Sequence, residues 1–215
     1  MPTLWGVGMR VTVNHPPSID GGYHLVRMGD RFDNLYVVRS GSFKGSTIDL
    51  DGREHILGFF MPGDLIGFDA IQTGKYYTDI VALQKSSICA IPYAGLSRLF
   101  TEIPQLASRL LQMMSKSLAS RETLAGDYSA EERCASFLAG MSDRFNGLGY
   151  SAIVFNLPMA RSDIAKSLRL ASETVTRVFA RFIDDCVISV KGREITILDR
   201  SRLDHIASRM GPLSI

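Results

Sequence analysis

A chain of 215 residues, 46% hydrophobic and 21% charged, has ordinary globular composition, with room for one large domain or two small ones. A formal net charge of +2 is too mild to argue for nucleic acid by itself. The three cysteines, Cys89, Cys134 and Cys186, are odd in number, far apart and without CxxC spacing, which excludes a disulfide framework or a zinc ribbon and fits a reducing cytoplasm. No apolar run approaches the roughly 18 residues of a membrane span, and Met1–Met9 is too short and mixed for a signal peptide. A soluble cytoplasmic protein with no membrane partner is expected.

Residues 1–20, with Gly6, Gly8, Pro16 and Pro17, read as an irregular lead-in. From Tyr23 to Tyr93 the signals are β. Apolar runs at Leu35–Val38, Ile48–Leu50, Ile56–Phe59, Asp79–Leu83 and Ser87–Ile91 alternate with turn residues at Gly29-Asp30, Ser40-Gly41, Asp51-Gly52 and Pro62-Gly63-Asp64. Asp51-Gly52 predicts a two-residue hairpin, and Phe68–Ile71 a short helical interruption. Short strands at this spacing suggest a sandwich or barrel.

After Pro104 the period becomes helical. Leu106, Leu110, Met113 and Ser117 form one seam from about Gln105 to Ala125, and Leu111, Met114 and Leu118 form a second one residue behind. One seam can be buried on the barrel and the other on a second copy, which makes Leu106, Leu110, Met113, Met114 and Leu118 the candidate dimerisation set. Gly126-Asp127 breaks the helix, and a domain boundary is placed at Gly126–Tyr128. Ser129 and Glu132 have capping-box spacing, so a new helix starts there and runs to about Phe145, closed by Gly147 and Gly149.

Ile164, Ala165 and Leu168 define one short amphipathic helix; Val175, Val178, Phe179, Phe182 and Ile183 define another, with Leu168–Ala171 between them. That gap has the length of a helix-turn-helix connection. The second helix exposes Ser172, Glu173, Thr176, Arg177 and Arg181. Glu and Arg one turn apart suit the major groove, where Arg takes G O6 and N7 with both arms and Glu accepts from C N4. The alternative is an i, i+4 ion pair on a solvated face. Two β-rich runs, Cys186–Val190 and Glu194–Leu198, then flank Lys191-Gly192-Arg193 as a basic-tipped wing. Charge follows the same pattern: residues 1–103 hold 9 Lys/Arg against 10 Asp/Glu, whereas residues 161–181 hold 5 against 2. A winged helix-turn-helix that reads double-stranded DNA is expected.

The segments MGDRFDNLYVVRSGSFK, DGREHILGFFMPGDLIGFDAI, ICAIPY, SAEERCASFL and RSDIAKSLRLASETVTRVFARF resemble the Crp/Fnr superfamily of transcription regulators, closest to its fumarate-and-nitrate-reduction branch. The resemblance covers roughly residues 23–200. It implies an α+β fold: a cyclic-nucleotide-binding-like β-roll (1–103), a dimerisation helix (104–126) and a winged helix-turn-helix (127–215). It also implies a homodimer that works with RNA polymerase and is not an enzyme. Glu173 and Arg177 become the principal base readers, with Ser172 and Thr176 beside them. Arg161 and Thr174 match phosphate-contacting positions, and Arg169, Arg181, Lys191 and Arg193 join that set. Ser172 stands where the cyclic-AMP branch has an Arg reading an extra G, so a TTGAT-like half-site is expected.

Four departures from that branch stand out. Only Cys89 matches its cluster-ligating cysteines, and a [4Fe–4S] cluster needs four thiolates, so the iron–sulfur reading fails for this chain as it stands. The stretch between Met114-Ser115 and Ser129 is about three residues shorter, nearly one helical turn. Ala160 and Ala171 replace Ser or Thr near helix starts, where Ser172 or Asp163 could cap instead. Arg169 replaces the turn glycine.

The effector pocket is assigned to Gly67, Phe68, Asp69, Tyr76 and Cys89. Gly67–Thr78 contains no Arg, and Phe68 stands where the cyclic-AMP branch has its ribose-binding Glu, so cyclic AMP is disfavoured. Haem is an alternative, with His15, His24, His55, Met residues or Cys89 as ligands at no diagnostic spacing. A thiol signal at Cys89 is another, and a cupin-like metalloenzyme a distant one, since His205 and the other histidines are scattered.

Overall fold

The computed structural model describes residues 18–211, with side chains except at 97–99 and 116–125. The N-terminal half is two antiparallel sheets facing each other. In chain order the strands are β1 (His24–Val26), β2 (Asn34–Ser40), β3 (Phe43–Ile48), β4 (Glu54–Phe60), β5 (Leu65–Ile66), β6 (Asp79–Ala82) and β7 (Ser87–Pro92). One sheet has the order β1-β6-β3-β4 and the other β5-β2-β7. Leu35, Val38, Phe43, Ile66, Ile80 and Ile88 meet between them, each at most 2% exposed. A short 3-10 turn at Phe68–Ala70 follows the expected interruption.

The β3–β4 hairpin differs from expectation. The strand ends at Ile48, and the loop is Leu50-Asp51-Gly52, closed where the Asp49 amide donates to the Arg53 carbonyl at 3.0 Å. Asp49 causes the change: its carboxylate accepts from the Asp51 and Arg53 amides, each at 2.9 Å, and this captures the turn one residue early. Gly52 then takes the left-handed position, φ 79°, of a three-residue loop. Leu50, read as strand, is fully exposed at the tip.

Helix α1 (Leu96–Glu102), not anticipated, precedes α2 (Pro104–Ala125), whose proline occupies the first helical turn. Leu106, Leu110 and Met113 lie half-buried against the roll core. The open face of α2 is therefore the other seam: Leu111 is 66% exposed and Met114 is intermediate. Leu118 lies outside the residues whose side chains are described.

Helix α3 (Ala130–Gly147) carries the expected capping box: Ser129 Oγ accepts from the Glu132 amide at 3.2 Å, and the Ser129 amide donates to the Glu132 carboxylate at 2.7 Å. Then come β8 (Val154–Asn156), α4 (Arg161–Ser167), α5 (Ser172–Asp184), β9 (Ile188–Lys191), β10 (Glu194–Ile197) and α6 (Arg200–Ala207); β8 and α6 were not anticipated. The wing sheet has the order β8-β10-β9. Phe137, Leu168, Val175, Phe182, Ile188 and Leu203 fill this core, and three roll residues of β4 and its exit, Ile56, Phe59 and Met61, complete it. Phe59 meets Phe137 edge-on, ring centroids 6.4 Å apart.

Candidate nucleic-acid interface

Helices α4 and α5 are joined by Leu168–Ala171, the predicted gap. Buried Leu168 anchors the turn, and the Leu170 amide donates to the Ala165 carbonyl at 2.9 Å. Arg169, in place of a glycine, is forced to φ 57°. Ala160 and Ala171 sit at the N-caps without a side-chain bond, and neither suggested substitute caps. Asp163 instead meets Lys44 of the roll at 3.3 Å, although Asp163 and Glu173 still lie in first turns, where the helix dipole favours negative charge.

The buried stripe of α5 is Val175, Val178, Phe179 and Phe182. Ile183, assigned to that stripe, is 43% exposed, because it lies about 40° beyond Phe179, outside the edge of the stripe. Ser172, Glu173, Thr176 and Arg177 are all exposed, with Thr174 at the edge. The Thr176 hydroxyl donates to the Ser172 carbonyl at 2.9 Å, which leaves its methyl and lone pairs as the parts free to meet a base. Glu173 and Arg177 form no ion pair with each other or with any other described residue. The solvated-pair alternative therefore has no geometric support.

The basic residues divide into two groups. Arg169 and Lys191 are exposed and unpaired among the described residues, Lys191 beside the Gly192 turn of the wing. Arg181 is ion-paired with Glu131 of α3, and Arg193 donates to the Pro158 carbonyl at 2.9 Å. The Arg161 guanidinium stacks 3.9 Å above the Phe179 ring; its Nη1 is buried without a partner, and burial lowers its pKa. Sequence reasoning missed Arg133, whose guanidinium collects the carbonyls of Gly126 (2.9 Å), Tyr128 (3.1 Å) and Leu168 (3.4 Å). It ties the interdomain linker to the helix-turn-helix, and no hydropathy pattern could have revealed it.

In the roll, Gly67, Phe68, Asp69 and Tyr76 come together. Tyr76 is 4% exposed, donates to the Asn34 carbonyl at 2.6 Å and packs edge-on to Phe32 at 5.5 Å. Gly67 (φ 98°) permits this, since a Cβ there would stand 3.0 Å from the Tyr76 ring. Asp69 accepts from the Thr78 hydroxyl at 2.7 Å. Cys89 is not a member of that core cluster: on β7 it stands opposite Val37 of β2, and burial pushes its thiol pKa up. Cys134 is fully buried on α3, its thiol pushed up to about 12 by burial, and exposed Cys186 follows α5. The three thiols thus lie on three different elements, β7, α3 and the segment after α5. Among the described residues no group of three or more His, Cys, Asp or Glu could hold a metal; His15 lies outside them. Nor is any helix among them long and apolar enough to cross a membrane.

A cyclic nucleotide-binding domain model matches residues 18–102, and a Crp-like helix-turn-helix domain model matches residues 132–206. The transcriptional activator protein Anr of Pseudomonas aeruginosa is 39% identical over 189 residues, covering 86% of this chain and 78% of its own. The fumarate and nitrate reduction regulatory protein of Escherichia coli is 38% identical over 198 residues, 91% of this chain and 79% of that protein. Among solved structures, FixK2 from Bradyrhizobium japonicum has a TM-score of 0.79 at 24% identity, covering 95% of this chain and 100% of that one. A CRP-family regulator from Thermus thermophilus has a TM-score of 0.71 at 19% identity, covering 92% and 98%. With a roll and a winged helix-turn-helix both matched in that order, the chain belongs to the Crp/Fnr family of DNA-binding transcription regulators.

Proposed function

We propose that the protein is a cytoplasmic homodimer that binds a TTGAT-type palindrome and acts on transcription through RNA polymerase in response to a redox, gas or small-molecule signal. The observation that carries this reading is the unpaired pair Glu173 and Arg177, one turn apart on the exposed face of α5. Arg177 takes the G of the half-site with both arms, and Glu173 accepts from the paired C or its neighbour. The Thr176 methyl, its hydroxyl already engaged, meets a thymine methyl. Arg169 and Lys191 hold phosphates on either side, and such contacts set register without reading sequence. Each subunit offers one reading helix, so two half-sites about one helical turn apart are required.

Selection from random DNA tests this. An enriched palindrome is expected, and Arg177→Ala costs about 1–3 kcal/mol on it while relaxing discrimination at the G. Enriched sites without a palindrome, or unchanged by loss of Arg177, rule the reading out.

A further inference from the structure

Helix α4 does not stand free of the roll. Lys44 on β3 sits between Glu54 on β4 (3.0 Å) and Asp163 on α4 (3.3 Å), and Glu54 also takes Lys166 of α4 at 2.6 Å. The charges thus alternate along Asp163–Lys44–Glu54–Lys166, with two members from each domain. Lys44 and Asp163 keep only 18% and 14% of their side-chain surface, so this interdomain pair is largely shielded from solvent. Beside it Arg144 of α3 donates to the Phe59 carbonyl at 3.1 Å and pairs with Asp64, and the Phe59 ring enters the core against Phe137. With the first helix of the reading pair held this way, the reading face of α5 remains exposed.

We infer that this four-charge clamp positions the helix-turn-helix on the roll with α5 presented outward, and so couples the roll to DNA affinity. Apolar packing can bury the interface without fixing its rotation. Alternating charges at fixed spacing add register, because a slip of one turn along α4 sets like charges opposite each other. The inference rests on α5 being the reading helix, and its test is separable from that reading.

Three charge-neutral variants of the full chain form a cycle. Lys44→Glu with Glu54→Lys keeps attraction within the roll but sets like charges against α4. Asp163→Lys with Lys166→Glu does the same from the other side, so a folding failure in one leaves the other. All four together restore complementarity. Hydrogen exchange of the α4 amides and affinity for a duplex carrying two TTGAT half-sites are measured on each. Either double swap is expected to speed exchange in α4 and to weaken binding about tenfold, the ordinary size of coupling between sites. The quadruple variant is expected to recover both. Unchanged or tighter binding in the roll swap, or a quadruple variant no better than the doubles, overturns the proposal. If the unaltered chain does not bind this duplex, the half-site reading fails, and the exchange cycle still decides the clamp.

Discussion

At position 169 the chain accepts a left-handed backbone under a long side chain. That conformation costs an L-residue about 1–2 kcal/mol, part of which glycine would return to the unfolded chain as entropy. Arg169→Gly is therefore expected to raise stability by about 0.5–1 kcal/mol in urea unfolding. The same change removes an exposed cation beside the reading helix, so the salt dependence of DNA binding should flatten by about one unit. A variant that gains neither stability nor a shallower salt slope would show that Arg169 has another role. Single residues were unevenly legible in the sequence. Glu173 and Arg177 could be read because a helical period decides which side chains face solvent. Arg161, Arg181 and Arg193 have protein partners contributed by other elements, Phe179, Glu131 and Pro158, and a local pattern carries no information about these.

Among the elements, α2 has one seam on the roll and another open. Replacing Leu111 and Met114 with Lys should give monomers by sedimentation that bind the two-half-site duplex poorly, with little loss of fold, because Leu111 is mostly exposed. Monomers in the unaltered chain at micromolar concentration would remove the basis for that expectation. The roll's interior strands make a second case. Tyr76 occupies the space beside Gly67 and hydrogen-bonds the backbone, and Phe68 offers no ribose contact. Calorimetry with cyclic AMP should show no binding at micromolar concentration, and a measurable heat there would contradict the filled pocket. The starts of α2 and α3 and the β9–β10 hairpin followed from period and turn residues, whereas α1, β8 and α6 did not, and α3 runs through Gly147 instead of ending near Phe145. The hairpin at Asp49–Arg53 did not follow either, because its loop length was set by one carboxylate capturing two amides, a competition in which Asp51-Gly52 is the weaker signal.

Across the molecule, the interdomain charges carry a pH dependence. Despite burial, which raises it, the Glu54 carboxyl is held down at about 2 by hydrogen bonds from Lys166 and Lys44. A depressed folded pKa means the stabilisation is fully present above the unfolded value of 4.5 and is lost as pH falls from there towards 2. Glu54→Gln should flatten that part of the stability curve by about 1–2 kcal/mol and leave its shape above pH 5 unchanged, as read from urea midpoints. An acid limb identical in both proteins would place the titration elsewhere. Interdomain contact of this kind was invisible in the sequence, since Lys44 and Asp163 are 119 positions apart.

The ring of Phe59 has a consequence for synthesis. The roll leaves the ribosome first, with Ile56, Phe59 and Met61 made long before the helices that cover them. At about 5–20 residues per second, the nearly 80 residues from Phe59 to Phe137 take on the order of ten seconds to appear. For that interval a nascent chain displays an uncovered apolar patch, and a fragment ending near residue 126 would display it permanently. Such a fragment should aggregate or engage chaperones where the full chain does not, even though every strand of the roll is intact.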